Sequence, residues 1–269
     1  MEELKPKIVR TATLAQFKAE GRKFSCLTSY DALTASAFDE AGIEVLLVGD
    51  SAADNVLGYS STLPITIEEM IPFGRAVANA AQRALVVVDM PFGSYETGPE
   101  SALSNGIRIM KQTGAGAVKL EGGVRSVEAI SALVTAGVPV MGHIGFTPQS
   151  VHALGGFKIQ GRGDSKQQLI DDALAVQAAG AFAVVLELVP ADVAREVSEL
   201  LAIPTIGIGA GAGTDAQILV WTDFAGLHPG APRKFVKRYL ETRTELVEAA
   251  KLYRSEIAEH KFPTSEHEF

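Results

Sequence analysis

The chain has 269 residues, of which 47% are hydrophobic, and its formal net charge is −8. This length and apolar content are enough for a substantial core in one large or two small domains. The acidic balance argues against nucleic acid or an anionic membrane as the main partner.

The N-terminal residues, the length of the apolar runs and the single cysteine all predict a cytoplasmic location. Residues 1–21 are charged and lack the apolar stretch of a signal peptide. No apolar run approaches the roughly 20 residues that a membrane span requires. The only cysteine, Cys26, cannot form a disulfide within the chain and lies in an apolar run, which favours a buried core residue over a nucleophile. We expect a soluble protein in a reducing cytosol.

Short apolar runs rich in Val, Ile and Leu recur along the whole chain. Most of them lack polar alternation, as expected for parallel strands that are covered on both faces. We predict eight strands, at residues 24–30, 45–50, 85–90, 117–121, 138–144, 183–187, 204–209 and 218–227.

Longer amphipathic segments separate these runs and predict helices. Asp31 is a plausible N-cap, Thr66 precedes acids in a first turn, and several segments end in glycine. The predicted helices cover residues 31–42, 66–83, 98–114, 126–137, 164–180 and 191–202, with a long charged helix or helix pair at 232–260.

Eight alternating β-α units predict a single (β/α)₈ barrel domain over residues 1–269, with a short N-terminal segment and a C-terminal helical extension. An open doubly wound sheet is the alternative, because it also alternates strands and helices. Two long connections, 57–65 and 145–163, are candidates for functional loops.

Polar side chains lie at the ends of successive predicted strands. In a barrel all the carboxyl ends of the strands converge on one face, so these groups are expected to meet at a common mouth. Each alone is most simply a helix cap or a surface acid, but a succession of them favours an active site. They are Asp50, Asp89, Glu121, His143 and Glu187.

Four converging carboxylates raise one another's pKa unless a cation balances them. Oxygen ligands favour a hard ion such as Mg²⁺, which takes only one or two carboxylates directly. Zinc is disfavoured because the sequence has no HExxH, no CxxC and no histidine pair at ligand spacing. Lys119 lies on the same strand face as Glu121, where it would pair with these acids or with an anionic substrate.

The glycine-rich stretch GIGAGAGTDAQ, residues 207–217, contains a GxGxxA match at Gly207, Gly209 and Ala212. It is weak evidence for a dinucleotide site, because it comes in the seventh β-α unit instead of the first. A tight turn, or a loop whose backbone approaches a ligand, is the favoured interpretation.

Several motifs together resemble the ketopantoate hydroxymethyltransferase family, and some look most like its actinobacterial members. The resemblance covers about residues 8 to 240, with the motifs in the family's order. The motifs are VGDSAADNVLGYSSTLPIT, DMPFGSYE, VKLEGG, GHIGFTPQS, GGFKIQGRG, VVLELVP and IGIGAGAGTDAQILVW.

The resemblance implies a (β/α)₈ TIM barrel of the phosphoenolpyruvate/pyruvate type. It implies transfer of a hydroxymethyl group from 5,10-methylenetetrahydrofolate to 3-methyl-2-oxobutanoate, through an Mg²⁺-stabilised enolate, to give 2-dehydropantoate for pantothenate and coenzyme A synthesis. It also implies a cytoplasmic homo-oligomer, typically a decamer of five dimers.

The family's residue roles are carried over by matching motifs. Asp50 and Asp89 are expected at the metal and substrate, with Glu121 joining the metal site through water. Ser51, Lys119 and His143 are expected to contact the substrate. Glu187 is expected to be the proton acceptor.

The chain departs from the family at several loop positions. Ala52-Ala53-Asp54 replaces Leu-Gly-Met, Ala212 replaces Asn, Ala216 replaces Gly, and Phe224-Ala225 reverses the usual order. These departures concern loop details and the folate side more than the metal and base residues.

Two rival functions remain open. One keeps the barrel and the metal but assigns a C–C lyase of the isocitrate lyase type, although the KKCGH-like loop of those enzymes is absent. The other is a non-catalytic barrel that binds keto acids, which would predict eroded strand-end carboxylates.

Overall fold

The computed structural model describes residues 7–269. Eight parallel strands form a closed barrel in which each strand pairs with its neighbours in chain order and β8 pairs with β1. The strands are β1 Phe24–Thr28, β2 Val45–Val48, β3 Leu85–Asp89, β4 Ala117–Glu121, β5 Val140–Gly145, β6 Ala183–Glu187, β7 Thr205–Ile208 and β8 Ala216–Leu219.

Helices precede, connect and follow the strands. They are α1 Thr11–Ala19, α2 Ala32–Glu40, α3 Ala52–Asn55, α4 Ile67–Ala80, α5 Pro99–Thr113, α6 Val127–Thr135, α7 Ser165–Ala178, α8 Ala191–Leu200, α9 Trp221–Phe224 and α10 Thr242–Ala258. Short 3₁₀ turns lie at Val124–Ser126, Pro148–Ser150 and Ser265–His267. None of the described helices is both long and apolar enough to cross a membrane.

The predicted barrel is confirmed, and the open doubly wound alternative is wrong because the sheet closes. Both predicted helix starts are also confirmed. The carboxylate of Asp31 accepts hydrogen bonds from the backbone of Leu33 and Thr34, and Thr66 forms a capping box with Glu69.

Two predictions near the C-terminus are wrong. The eighth strand ends at Leu219, not at residue 227, because Trp221–Phe224 forms a helix. A short apolar run in a sequence does not show whether it forms a strand or a helix. The helix predicted from residue 232 starts only at Thr242. The backbone N–H of Tyr239 donates to Phe224 O at the end of α9, instead of to a carbonyl one helical turn earlier in the chain.

The chain divides into two compact units, one ending at Val220 and one comprising Trp221–Phe269. The first contains the whole barrel. In the second, the rings of Phe224 and Tyr239 stack with centroids 4.9 Å apart, and α10 has no buried residue. The single domain over residues 1–269 stays a prediction.

The N-terminal segment contributes to the barrel core. Val9, Leu14 and Phe17 join the cluster of inward-facing strand residues that includes Phe24 and Ile218. Lys18 of α1 also donates to Ser198 O and forms an ion pair with Asp215, both at 2.8 Å. The helix α1 was not predicted, although it covers residues that the core requires.

We expect Leu14→Ala to lower the free energy of unfolding by about 2–5 kcal/mol, because Leu14 is completely buried and its truncation leaves a cavity. Urea titration monitored by circular dichroism measures this. The matched control is Leu33→Ala on α2, where the side chain is 84% exposed and the expected change is within about 0.5 kcal/mol. Equal stability of both variants would show that α1 does not contribute to the core.

Candidate active site

The strands deliver the predicted polar residues to one end of the barrel. Side chains alternate between the two faces of a strand, so residues two positions beyond an inward-facing core residue also face inward. Val87, Ala117, Met141 and Val185 belong to the barrel core, and the next inward positions are Asp89, Lys119, His143 and Glu187. Strand register places Asp89 beside Lys119, and Glu121 beside His143.

Asp50 and Asp89 are joined directly. The backbone N–H of Asp50 donates to Asp89 Oδ2 at 3.0 Å. A Cβ at Gly49 would lie 2.7 Å from Ser51 Oγ, so a larger residue there would displace the Ser51 side chain.

Lys119 compensates part of the negative charge. Its Nζ lies 2.8 Å from Asp89 Oδ1, and both side chains are almost completely buried. Burial lowers the pKa of Lys119, but the charges of Asp89, Glu121 and Asp50 outweigh that effect and raise it. Lys119 is thus a permanent cation at the mouth, which is what an anionic substrate would require.

Asp50 remains uncompensated. Burial and the charges of Asp89 and Glu121 raise its pKa from 3.8 to about 8, although Lys119 and a hydrogen bond from Gln149 oppose the shift. Burial also raises the pKa of Asp89, against the opposing effect of Lys119. One lysine does not balance this group of carboxylates.

His143 lies between two carboxylates. Its Nδ1 is 3.4 Å from Glu121 Oε1 and 3.2 Å from Lys119 Nζ, and its Nε2 is 3.3 Å from Glu187 Oε2. Burial and Lys119 lower the pKa of His143, but Glu121 and Glu187 outweigh them and raise it to about 9. Because the Lys119 ammonium can only donate to Nδ1, the ring proton belongs on Nε2, where it would donate to the Glu187 carboxylate and orient it.

The backbone around Glu187 is held in an unusual conformation. Leu188 has a positive φ of 49°, a region that costs a non-glycine residue on the order of 1–3 kcal/mol and that recurs at functional sites. On the neighbouring strand, a Cβ at Gly145 would lie 2.4 Å from Glu187 O. Close strand approach and strain both occur next to the predicted base.

Ser51 lies next to Asp50 and immediately before α3. Its Oγ is 2.8 Å from the hydroxyl of Tyr30, which is itself buried. The structure thus brings Asp50, Ser51, Asp89, Lys119, Glu121, His143 and Glu187 to the same end of the barrel, and it separates none of the predicted site residues from the group.

Sequence reasoning missed two buried polar residues in this cluster. Gln149 donates to Asp50 Oδ2, and Tyr95 donates its hydroxyl proton to Gln149 Oε1. Both residues lie within motifs that carry the family resemblance, but in long loops, where no periodicity indicates which side chains face inward.

The donor set fits a hard divalent cation held by few protein ligands. Asp50 is buried, acidic and uncompensated, which is the electrostatic situation that a bound cation relieves. Among residues 7–269, no group of three or more His, Cys, Asp or Glu side chains is arranged to enclose a metal ion. Mg²⁺ suits such a site because it keeps several waters and binds through one or two carboxylates.

The departures Ala52-Ala53-Asp54 directly follow Asp50 and Ser51, whereas Ala216 is the first residue of β8 and lies at the other end of the barrel. Ala52 and Ala53 are completely buried in α3, whereas Asp54 is exposed and accepts a hydrogen bond from Asn55. Asp54 is therefore a solvated surface acid. In the glycine-rich stretch, Gly209 and Gly211 have positive φ values of 63° and 75°, as expected of a tight turn.

A closed parallel barrel with acids and a lysine at its strand ends is the architecture of a (β/α)₈ enzyme. Solved structures agree on the fold. A phosphoenolpyruvate phosphomutase from Streptomyces platensis subsp. rosaceus matches with a TM-score of 0.64 at 13% identity, over 97% of this chain and 92% of that one. A phosphonopyruvate hydrolase in complex with oxalate and Mg²⁺ matches with a TM-score of 0.62 at 12% identity, over 94% and 88%.

Sequence comparison identifies the family. The model of the family described as ketopantoate hydroxymethyltransferase matches residues 8–265. A 3-methyl-2-oxobutanoate hydroxymethyltransferase of Leifsonia xyli subsp. xyli is 61% identical over 98% of this chain and 95% of its own length. One of Mycobacterium sp. (strain KMS) is 59% identical over 98% and 94%. The chain belongs to the ketopantoate hydroxymethyltransferase family, which confirms the predicted membership and, with it, a transferase enzyme.

Proposed function

We propose that the protein transfers a hydroxymethyl group from 5,10-methylenetetrahydrofolate to 3-methyl-2-oxobutanoate, forming 2-dehydropantoate with consumption of one water. The observation that carries the proposal is the buried cluster of Asp50, Asp89 and Lys119 beside the His143–Glu187 pair, in a chain of this family. The cluster combines a cation site, a positive charge and a carboxylate base at one barrel mouth.

The side chains take the roles that the family resemblance implies, and their contacts are compatible with those roles. Asp50 and Asp89 would hold Mg²⁺, with Glu121 reaching it through water. A bound Mg²⁺ supplies Lewis-acid stabilisation of negative charge that develops on the 2-oxo oxygen of the substrate. Lys119 and Ser51 would bind the oxygens of the keto acid and fix its orientation.

Glu187 would remove the proton from C3 of the keto acid. A carboxylate base contributes about 10²–10⁴-fold when it is within reach of the proton. The His143 side chain, 3.3 Å from Glu187 Oε2, would hold the base in place. The C3 carbanion then bonds to the methylene carbon of the folate, and both C–N bonds of that carbon break. Water supplies the hydroxyl group of the product, and tetrahydrofolate leaves with the C3 proton and the second proton of the water on its two nitrogens.

We expect the purified protein to form 2-dehydropantoate from 3-methyl-2-oxobutanoate and methylenetetrahydrofolate only when a divalent cation is present. Product analysis by mass spectrometry measures this. Chelation with EDTA should abolish product formation and excess Mg²⁺ should restore it, because the negative charge that develops on the 2-oxo oxygen would lose its Lewis-acid stabilisation. Failure to form 2-dehydropantoate with Mg²⁺ present would overturn the proposal.

The rival functions have less support. No KKCGH-like loop occurs in the sequence, and the likeness to a 2,3-dimethylmalate lyase, with a TM-score of 0.59 at 16% identity, concerns the fold alone. A non-catalytic barrel would not require the acids and lysine that are present.

The proposal also includes a cytoplasmic location and a decamer of five dimers, both of which rest on the family resemblance. Light scattering after size exclusion tests the assembly. A decamer would have ten times the chain mass of 28.4 kDa.

A further inference from the structure

Gln149 links two strand ends through buried hydrogen bonds. It lies in the 3₁₀ turn Pro148–Ser150 that follows β5, and only 5% of it is exposed. Its backbone N–H donates to Glu121 Oε2 at 3.0 Å, and its Nε2 donates to Asp50 Oδ2 at 2.9 Å and to Met90 O at 3.1 Å.

Tyr95 fixes which end of the Gln149 amide faces Asp50. The Tyr95 hydroxyl accepts a hydrogen bond from Glu121 N at 3.2 Å and donates its own proton to Gln149 Oε1. A flipped amide would set its oxygen against Asp50 Oδ2 and Met90 O, which are both acceptors, and its NH₂ against the Tyr95 hydroxyl. The donor and the acceptor are therefore determined for each hydrogen bond in the chain from Glu121 N through Tyr95 and Gln149 to Asp50.

The two metal-site aspartates differ in what holds them. Asp89 is fixed by its ion pair with Lys119 and by the backbone N–H of Asp50. The Asp50 carboxylate has one hydrogen-bond donor among the described residues, the Gln149 amide. Because the terminal torsion of a carboxylate is soft, this one bond decides where its oxygens point.

We propose that Gln149, oriented by Tyr95, is the positioning residue of the cation site: it holds Asp50 Oδ2 and leaves Oδ1 for a hard divalent cation. This inference rests on the proposed function. It assigns Gln149 no contact with the substrate; its effect passes through Asp50. Groups that orient a metal ligand typically change metal affinity about 10–100-fold when they are removed.

The test is Gln149→Met, which keeps the length of the side chain and removes both amide functions. Calorimetric titration of the full chain with Mg²⁺, without substrates, should show an affinity at least about tenfold weaker than in the unaltered protein. The matched control is Gln177→Met on α7. Gln177 Oε1 accepts from the backbone of Ala202 and Ile203, away from the strand-end cluster, so the control should lose thermal stability but keep its Mg²⁺ affinity.

Tyr95→Phe is the second variant in the test. It should weaken Mg²⁺ binding less than Gln149→Met does. Because Tyr95 acts through Gln149, the double variant should match Gln149→Met within about twofold instead of showing the sum of both losses. If the substitutions lowered only thermal stability, the Mg²⁺ affinity of all three variants would equal that of the unaltered protein.

The outcomes separate the two proposals. If the unaltered protein binds no Mg²⁺, the proposed metal site fails, and the role of Gln149 fails with it. If the unaltered protein binds Mg²⁺ and Gln149→Met binds it equally well, only the positioning role is overturned. Additive losses in the double variant would overturn the route from Tyr95 through Gln149.

Discussion

Glu187→Gln should lower kcat by about 10²–10⁴-fold while leaving the binding of Mg²⁺ and keto acid nearly unchanged. The substitution keeps the shape of the side chain and retains an oxygen that His143 Nε2 can contact, now 3.3 Å from the carboxylate. It removes only the basicity. The expected loss is therefore in the proton-removal step and not in the assembly of the site.

Deuterium exchange at C3 of 3-methyl-2-oxobutanoate isolates that step. With Mg²⁺ in D₂O and no folate, proton NMR should show exchange with the unaltered protein and almost none with Glu187→Gln. The matched control is Glu196→Gln on α8, a half-exposed acid paired with Lys166, which should exchange at the original rate. Undiminished exchange in Glu187→Gln, with transfer lost, would assign the residue to a later step.

The barrel was predictable because parallel strands covered on both faces read as continuous apolar runs. Glu121 and Glu187 end their strands at the predicted residue, and Asp89 ends its strand one residue before the predicted end, so their convergence followed from the fold. The errors lie where the pattern is not periodic. The run 218–227 is as apolar as a strand, yet Trp221–Phe224 forms a helix, and hydrophobicity alone does not distinguish them.

The contacts within the site were less predictable than its members. The sequence identifies Asp50 and Lys119 as members, but Lys119 pairs with Asp89, and the Asp50 side chain is held by Gln149. Which partner each side chain contacts depends on strand register and, for Asp50, on a loop nearly a hundred positions away in the chain. No local pattern encodes a hydrogen bond between a strand end and a turn that are brought together only by barrel closure.

Asp50→Asn should weaken Mg²⁺ binding by at least about 100-fold, since even indirect partners of metal ligands change affinity about 10–100-fold. The same substitution should stabilise the metal-free protein. The pKa of Asp50 rises from 3.8 to about 8 in the folded state, so charging it costs stability increasingly as the pH rises through that interval. The amide has no charge to bury, and its oxygen can still accept from Gln149.

Asp89→Asn provides the contrast. It should also weaken Mg²⁺ binding, but it should destabilise the metal-free protein, because it breaks the buried ion pair with Lys119 and leaves that cation less compensated. Thermal unfolding at pH 5 and pH 8 measures both effects for both variants. The midpoint in EDTA gives the stability of the metal-free protein, and the rise in midpoint on adding Mg²⁺ reports Mg²⁺ binding. The midpoint of Asp50→Asn in EDTA should exceed that of the unaltered protein at pH 8 and approach it at pH 5. If Asp50→Asn lowered the midpoint at pH 8 as Asp89→Asn does, Asp50 would not be an uncompensated charge, and these carboxylates would not require a cation to balance them.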